Sequence, residues 1–543
     1  MNGQGQRKQK GKYYTPQAVV DLCWEVLRAK IAPATLRSFQ VVDPAAGDGV
    51  FLQEACARGW ITGQLATGVE LYPGEASRAG VLFRVVKGNG LIDRPEEDFV
   101  AGRFDLAVGN PPYGGEGLRD LCRSWEKPAA RAMLRQLFYR YDLCRFYLGL
   151  DLPEQQEFNS WLRGAAGQRA LAKLGRCPIE LFFLERFICL CREGGWCAVV
   201  LPEGLLANER MRSLREWVEE RAALLAVVAL DRKTFQREGT AARTALVFLR
   251  RKPCPVEEDN EKIYFAAPAY EEQAMAATEY LARVGRELGG GEKPVTGRWV
   301  ERTQVAGNRW DPGFWHPRFR QVLCVLDKAP RLGDFITLLT YGPILPGRRP
   351  EPDEGGIPVI GQSYFTEAGL DLSKAIRVAA GSAFDPPRSR VRRGDLLFPR
   401  SGEGSLLRFK AGVYDSDQPA NVSCFVDLVR LSGIEPYYVW LVLKTRFLRE
   451  QILRLQNGVG TPNLNFREIR ELRIPWQDAA EQAAWRGEYF RRVAPLHLAR
   501  LQALDPLERS RLGELADAAF RRLVQELEET LNTRYFPRDK SNG

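Results

Sequence analysis

The sequence predicts an α/β chain, a mostly parallel sheet with helices between its strands, followed by a second module of α+β class. Three observations predict it. Between Val41 and Phe248, short apolar runs alternate with stretches of helical pattern. The runs end at or near Gly, Pro, Asp or Asn. From about Asn308 the texture changes to brief strand-like pieces separated by turn residues. Apolar runs without alternation are how strands buried on both faces read, and their spacing by helices suggests crossover units.

The runs justify the elements in order. They are FQVVDPA from Phe39, LATGVEL from Leu65, RVVKGNG from Arg84, FDLAVGNPP from Phe104, GWCAVVLPEG from Gly195, LLAVVAL from Leu224 and TALVFLR from Thr244. Between them, Ile179 to Gly195 reads as a helix that is apolar around most of its face and stops at a glycine pair. A long insertion, Gly114 to Pro178, is rich in Arg, aromatics and Leu and reads as helical. Composition shifts to Pro and charge near Arg250 to Lys262. We therefore expect a first domain over 1–255, a linker over 256–305, a second domain over 306–480 and a helical segment over 481–543.

Composition bounds the function. The chain has 543 residues, 45% of them hydrophobic, enough for real cores. No run approaches the roughly 18 apolar residues of a membrane-spanning helix, and the basic N-terminus lacks the apolar core of a secretory signal. A cytoplasmic protein with no membrane role is expected. Eleven cysteines and two histidines, with no CxxC pair, predict no metal site. A net charge of +10 favours a polyanionic partner such as nucleic acid.

Two motifs carry chemistry. VVDPAAGDGVFL, Val41 to Leu52, is strand, Gly-rich turn, then helix. Gly47 and Gly49 let backbone approach a ligand closely. About twenty residues on, Glu70 ends the next strand, where a carboxylate can accept from both hydroxyls of a ribose. Leu52 stands where a dinucleotide fingerprint needs its third Gly. A nucleoside without pyrophosphate fits better, which points to S-adenosyl-L-methionine. The second motif is GNPPY, Gly109 to Tyr113, delivered by an apolar strand that a proline pair cannot continue.

At this order and spacing, DPAAGDGVF, GVELYP and GNPPY resemble the S-adenosylmethionine-dependent amino-methyltransferases. GKYYTPQAVVDLC, from Gly11, resembles the Thr-Pro segment of the gamma-group DNA adenine-N6 methyltransferases. The resemblance implies a Rossmann-like mostly parallel methyltransferase sheet. It implies that Thr15 and Pro16 close over the methionine end and that Asp43, Ala45, Gly47 and Gly49 line the amino-acid part. Glu70 would hold the ribose, Leu71 the adenine, and Asn89, where the family usually has Asp, the adenine amine. Asn110 would face both cofactor and target.

The catalytic reading starts from the amine. An exocyclic aromatic amine is a poor nucleophile because its lone pair is delocalised. The Asn110 side-chain oxygen and the Pro111 carbonyl, aimed at the two amine hydrogens, would stabilise the ammonium-like charge as it develops. Pro111 and Pro112 fix the loop, and Tyr113 offers a ring face. The resemblance adds Phe235 as a second ring packing on a flipped adenine. Cytosine-C5 chemistry needs a Cys after Pro. Pro253-Cys254 lies beyond the last strand, so that chemistry is rejected.

RSRVRRGDLLFPRSGEG, from Arg388, and TPNLNFREIRELRIPWQ, from Thr461, resemble the target recognition domains of type I specificity subunits. Arg388, Arg390, Arg392, Arg393 and Arg400 are donors for phosphates or guanine edges of double-stranded DNA. No nuclease pattern is found, and a separately encoded restriction endonuclease or defence subunit is left open as a partner. The expectation is a site-specific DNA adenine-N6 methyltransferase. A methyltransferase of RNA or of protein glutamine, and a DNA-binding subunit with an inactive methylase fold, remain open.

Overall fold

The computed structural model describes residues 15–71, 82–113, 117–142, 145, 148–230, 243–253, 261–268, 277–402, 404–456 and 462–537. The chain divides into two compact units, Met1–Pro317 and Arg318–Gly543.

The first unit is built on one nine-stranded sheet. Its strands are β1 (Val41–Asp43), β2 (Ala66–Glu70), β3 (Arg84–Lys87), β4 (Phe104–Gly109), β5 (Cys191–Pro202), β6 (Ala222–Leu230), β7 (Thr244–Arg251), β8 (Lys262–Ala266) and β9 (Gly297–Glu301), in the order β3-β2-β1-β4-β5-β7-β6-β8-β9. β1 pairs parallel with both β2 and β4, and β4 parallel with β5. β7 slots antiparallel between β5 and β6. The seven apolar runs are therefore β1 to β7. β1, β2 and most of β5 to β7 are buried, which explains their unbroken hydrophobicity. The helix Gln17–Lys30 buries Val19, Val20, Leu22, Cys23, Trp24, Val26 and Leu27 in the main core. The Trp24 indole N–H donates to the Phe51 carbonyl at 2.9 Å, which ties that helix to the one following the Gly-rich turn.

Two sequence expectations change. The stretch expected as a linker, 256–305, supplies β8, β9 and the helix Ala277–Leu288, which packs on Gln17–Lys30. β8 pairs parallel with β6 and antiparallel with β9, which follows it only after the helix Ala277–Leu288. Glu287, 3% exposed, accepts the Tyr264 hydroxyl and the N–H groups of Val295, Thr296 and Gly297, which fixes the Gly-rich connection. Burial alone would raise the Glu287 carboxyl, but these donors outweigh it and hold it below its usual range. The second change concerns the helix from Ile179, which ends at Leu190. Gly194 and Gly195 instead lie within β5, near its register shift against β4.

The insertion is helical as expected, with helices Gly117–Arg123, Pro128–Arg140, Phe158–Arg163 and Ala165–Leu174.

The second unit is α+β. One four-stranded sheet runs β10 (Ile336–Tyr341), β17 (Val426–Leu431), β14 (Leu396–Pro399), β15 (Gly412–Val413). The other runs β12 (Arg377–Val378), β11 (Ile357–Ile360), β16 (Ala420–Val422), β13 (Arg390–Val391). Inward residues of both, including Ile360, Val422, Leu397 and Leu428, share one core. The final helix, Pro506–Tyr535, buries Phe520, Leu523, Leu527 and Leu531 and packs on Pro436–Leu443 and Ala479–Arg492. The C-terminal segment is thus part of this unit, not a separate arm. Among the described residues, no helix is long and apolar enough to cross a membrane, and no group of His, Cys, Asp or Glu is arranged to hold a metal.

Candidate active site

β1 ends at Asp43, β2 at Glu70, β3 at Lys87 just before Asn89, and β4 at Gly109. All four ends lie on the carboxyl edge of the sheet. The strand order runs one way from β1 through β2 to β3 and the other way from β4 to β5. In open parallel sheets, ligand crevices form at such reversals.

The Gly-rich turn is tied to both neighbours. Asp43 Oδ1 accepts the Ala45 N–H at 3.0 Å, the Ala46 N–H donates to the Val69 carbonyl at 2.9 Å, and the Gly47 N–H donates to Glu70 Oε2 at 3.0 Å. Gly47 and Gly49 have φ of 55° and 78°, a region that strains L side chains, and Gly49 opens the helix Val50–Ala57. Asp43 and Glu70 are 1% and 6% exposed. Burial pushes the Asp43 carboxyl up to about 8. The Ala45 N–H opposes the rise, and the nearby Glu70 and Asp48 charges add to it. β4 comes hard against this carboxyl, since a Cβ on Gly109 would lie 2.5 Å from Asp43 Oδ1. The glycine of GNPPY is therefore required by close approach.

Asn110 follows directly. Its Nδ2 donates to Thr15 Oγ1 at 2.9 Å, and the Tyr113 hydroxyl donates to its Oδ1. Pro16 then caps the helix Gln17–Lys30, with the Val19 N–H on its carbonyl at 3.0 Å. The Thr-Pro segment and the NPPY loop are thus joined through one amide. Pro111 is buried, and Pro112 is partly so. Tyr113 departs from its expected role: it is 7% exposed and its ring belongs to the main core cluster. In this state it caps the loop and presents no open face.

Of the other expected cofactor residues, Leu71 is 51% exposed beside Glu70. Asn89 uses its side-chain oxygen locally, accepting the Leu91 N–H at 3.0 Å. Phe235 and residues 11–14 of the Thr-Pro stretch lie outside the described residues. The site offers a Gly turn bare of side chains, a buried carboxyl and a second carboxylate at the next strand end. That donor set fits a ligand carrying both a cation and a hydroxylated sugar, as S-adenosyl-L-methionine does.

The arginines of the second unit divide. Arg390 makes a two-pronged pair with the fully buried Asp385, at 3.1 and 2.6 Å, and Asp385 also accepts from Asn421 and Gly381. Arg393 pairs with Asp415 and Asp417. These two forks are engaged within the fold, although both side chains are exposed. Arg388 and Arg392 are exposed. Arg400 lies over the Tyr341 ring, 3.9 Å from its centroid. Asp427 lies opposite Tyr341 on the neighbouring strand, and its charge interacts with Arg400. The sequence signal for Asp427 is a charged residue inside the apolar run Phe425 to Leu431.

Residues 1–76 match the family model described as N-6 DNA Methylase. That span holds Thr15, Pro16, the Gly-rich turn and Glu70, and it stops short of Asn110. The "Defense against restriction protein B" of Escherichia phage P1 is 22% identical over 252 residues, which are 46% of this chain and 8% of that protein's length. Among solved structures, the type IIL restriction-modification enzyme MmeI, determined in complex with DNA, has a TM-score of 0.51 at 13% identity. The match covers 98% of this chain and 77% of that one, and it shows a shared fold. The type IIG restriction endonuclease BpuSI is similar at a TM-score of 0.46 and 13% identity, over 97% of this chain and 67% of that one.

Proposed function

We propose that this protein is a site-specific DNA methyltransferase that transfers a methyl group from S-adenosyl-L-methionine to N6 of an adenine flipped out of duplex DNA. Its setting would be restriction-modification or phage defence. One observation carries the reading: Asn110, at the end of β4, is hydrogen-bonded to Thr15 while Gly109 rests on Asp43. The residues expected at the cofactor and those expected at the target amine thus share one strand edge. The match of residues 1–76 to the N-6 DNA Methylase model supports it, as does the fold shared with MmeI.

In this reading Asp43, Ala45, Gly47 and Gly49 hold the amino-acid part of the cofactor, with Thr15 and Pro16 closing over it. Glu70 holds the ribose hydroxyls, while Leu71 and Asn89 flank the adenine. The bound cofactor supplies an electrophilic methyl group on a sulfonium. Asn110 Oδ1 and the Pro111 carbonyl accept the hydrogens of the target amine. As its nitrogen becomes tetrahedral and positive, these acceptors hold it more strongly than the planar ground state. No tuned general base is needed in advance. Thr15 keeps Asn110 oriented, acceptor towards the target. Tyr113 gives up its hydroxyl bond to Asn110 when the amine arrives, and Phe235 stacks on the base. The second unit selects the sequence, with Arg388, Arg392 and Arg400 among its donors to DNA, and double-stranded DNA is the partner.

The test is transfer of label from tritiated S-adenosylmethionine to duplex DNA, tRNA and protein. Label in DNA, released as N6-methyladenine, supports the reading; label in RNA or protein alone overturns it.

A further inference from the structure

We propose that Arg400 is a specificity-determining residue that reads a guanine edge in the recognised DNA sequence, an inference that rests on the DNA-methylation reading above.

Arg400 leaves the end of β14 with its backbone pinned on both sides. Its N–H donates to the Phe425 carbonyl at 2.9 Å, and its carbonyl accepts the Leu464 N–H at 3.4 Å. Its guanidinium carbon stands 3.9 Å from the Tyr341 ring centroid and 5.7 Å from that of Phe466. Two aromatic faces therefore restrict the orientation of the planar group. Asp427 lies on β17 directly opposite Tyr341 on one neighbour and Phe398 on the other. It is fully buried, and neither of its carboxylate oxygens has a hydrogen-bond partner among the described residues. Burial pushes its carboxyl up to about 7, and the Arg400 charge opposes that rise. Asp427 and the guanidinium thus interact through charge, with no hydrogen bond to either carboxylate oxygen among the described residues.

That separates Arg400 from its neighbours. Arg390 spends its fork on Asp385 and Arg430 on Asp395, at 2.8 and 2.7 Å. Among the described residues, the Arg400 side chain donates to none, and it is only partly buried. A rigid, unspent fork matches the two acceptors, N7 and O6, that guanine presents in the major groove.

The surroundings suit a base more than a bare phosphate. Phe425 is 58% exposed beside it, an apolar ring that an anion does not reward. Gln362 Nε2 bonds the Ser401 and Phe425 carbonyls at 2.9 and 3.0 Å, which holds the two loops together.

The test uses the whole chain in two measurements. Single-molecule sequencing of DNA from an expressing host gives the methylated motif. Selection from a random-sequence duplex library gives the bound motif without requiring transfer. Both are run on the wild type, on Arg400→Ala and on Arg400→Lys, with thermal melting to confirm folding. Lys keeps a charge above Asp427 but loses the fork.

The expected result is a motif with a required G·C pair at one position. In both variants discrimination there should fall roughly 10- to 100-fold, with other positions unchanged. In Arg400→Lys, overall affinity should be largely kept. An unchanged motif with affinity lost evenly would make Arg400 a phosphate contact, and an unchanged motif and affinity would make it structural. Either outcome overturns the proposal. Wild-type chain that binds a motif but methylates no DNA would instead overturn the methyltransferase reading, while the bound motif still decides the role of Arg400.

Discussion

Asn110 Nδ2 donates to Thr15 Oγ1 at 2.9 Å, across 95 positions of sequence. The bond decides which way the amide faces. With its nitrogen on Thr15, the oxygen, which accepts the Tyr113 hydroxyl in this state, is the atom that would meet an amine. Thr15→Ala removes the acceptor and lets the amide rotate. The loss of one such bond, about 1 kcal/mol, should lower kcat roughly five- to tenfold with little change in DNA affinity. Thr15→Ser should restore it. A Ser variant as slow as Ala would show that the methyl group, not the hydroxyl, matters.

Tyr113 gives its hydroxyl to Asn110 and its ring to the core. If an arriving amine displaces that hydroxyl, Tyr113→Phe should keep kcat/KM within about threefold. Tyr113→Ala should destabilise the first unit by about 3 kcal/mol through the cavity it leaves. Abolished transfer in a folded Tyr113→Phe would give the hydroxyl a chemical role that this account lacks.

Burial raises the Asp43 carboxyl to about 8, well above its usual range. Between pH 4 and 8 the folded chain therefore binds a proton that the unfolded chain does not. This contribution is full below the unfolded value and is lost as pH rises through about 8. Asp43→Asn can still accept the Ala45 N–H but cannot ionise. Melting temperatures across pH 5 to 9 should show the variant gaining on wild type as pH rises. A gap that stays constant would mean that Asp43 is already ionised.

Arg390 is expected to matter for stability rather than for DNA. Its partner Asp385 is fully buried and, among the described residues, keeps Asn421 and Gly381 once the guanidinium is gone. Arg390→Ala should destabilise the second unit by about 1–3 kcal/mol in denaturant melts. It should leave the salt dependence of DNA binding unchanged. A shallower salt slope would return Arg390 to the DNA contacts.

Much of this was legible because local chemistry and global position agree. Seven apolar runs became seven strands; all but the edge strand β3 are largely buried, which leaves few polar positions to confuse the pattern. The motifs sat at strand ends because Gly, Pro and Asn end strands. What was not legible depended on pairing across distance. β8 and β9 were hidden because each is a run of only five residues set among charged, Pro-rich and Gly-rich stretches. Arg390 and Arg400 read alike in sequence, and only the positions of Asp385, Tyr341 and Asp427 divide them. Tyr113 could be seen as an aromatic near the target, but not as one turned into the core.

The most direct test is methyl transfer to duplex DNA by the wild type and by Asn110→Ala, with the product base identified by mass spectrometry. The account predicts N6-methyladenine from the wild type. It predicts a rate at least roughly 100-fold lower in the variant, whose DNA binding is intact. Undiminished transfer by Asn110→Ala, or methylation of any other acceptor in place of adenine, would contradict it.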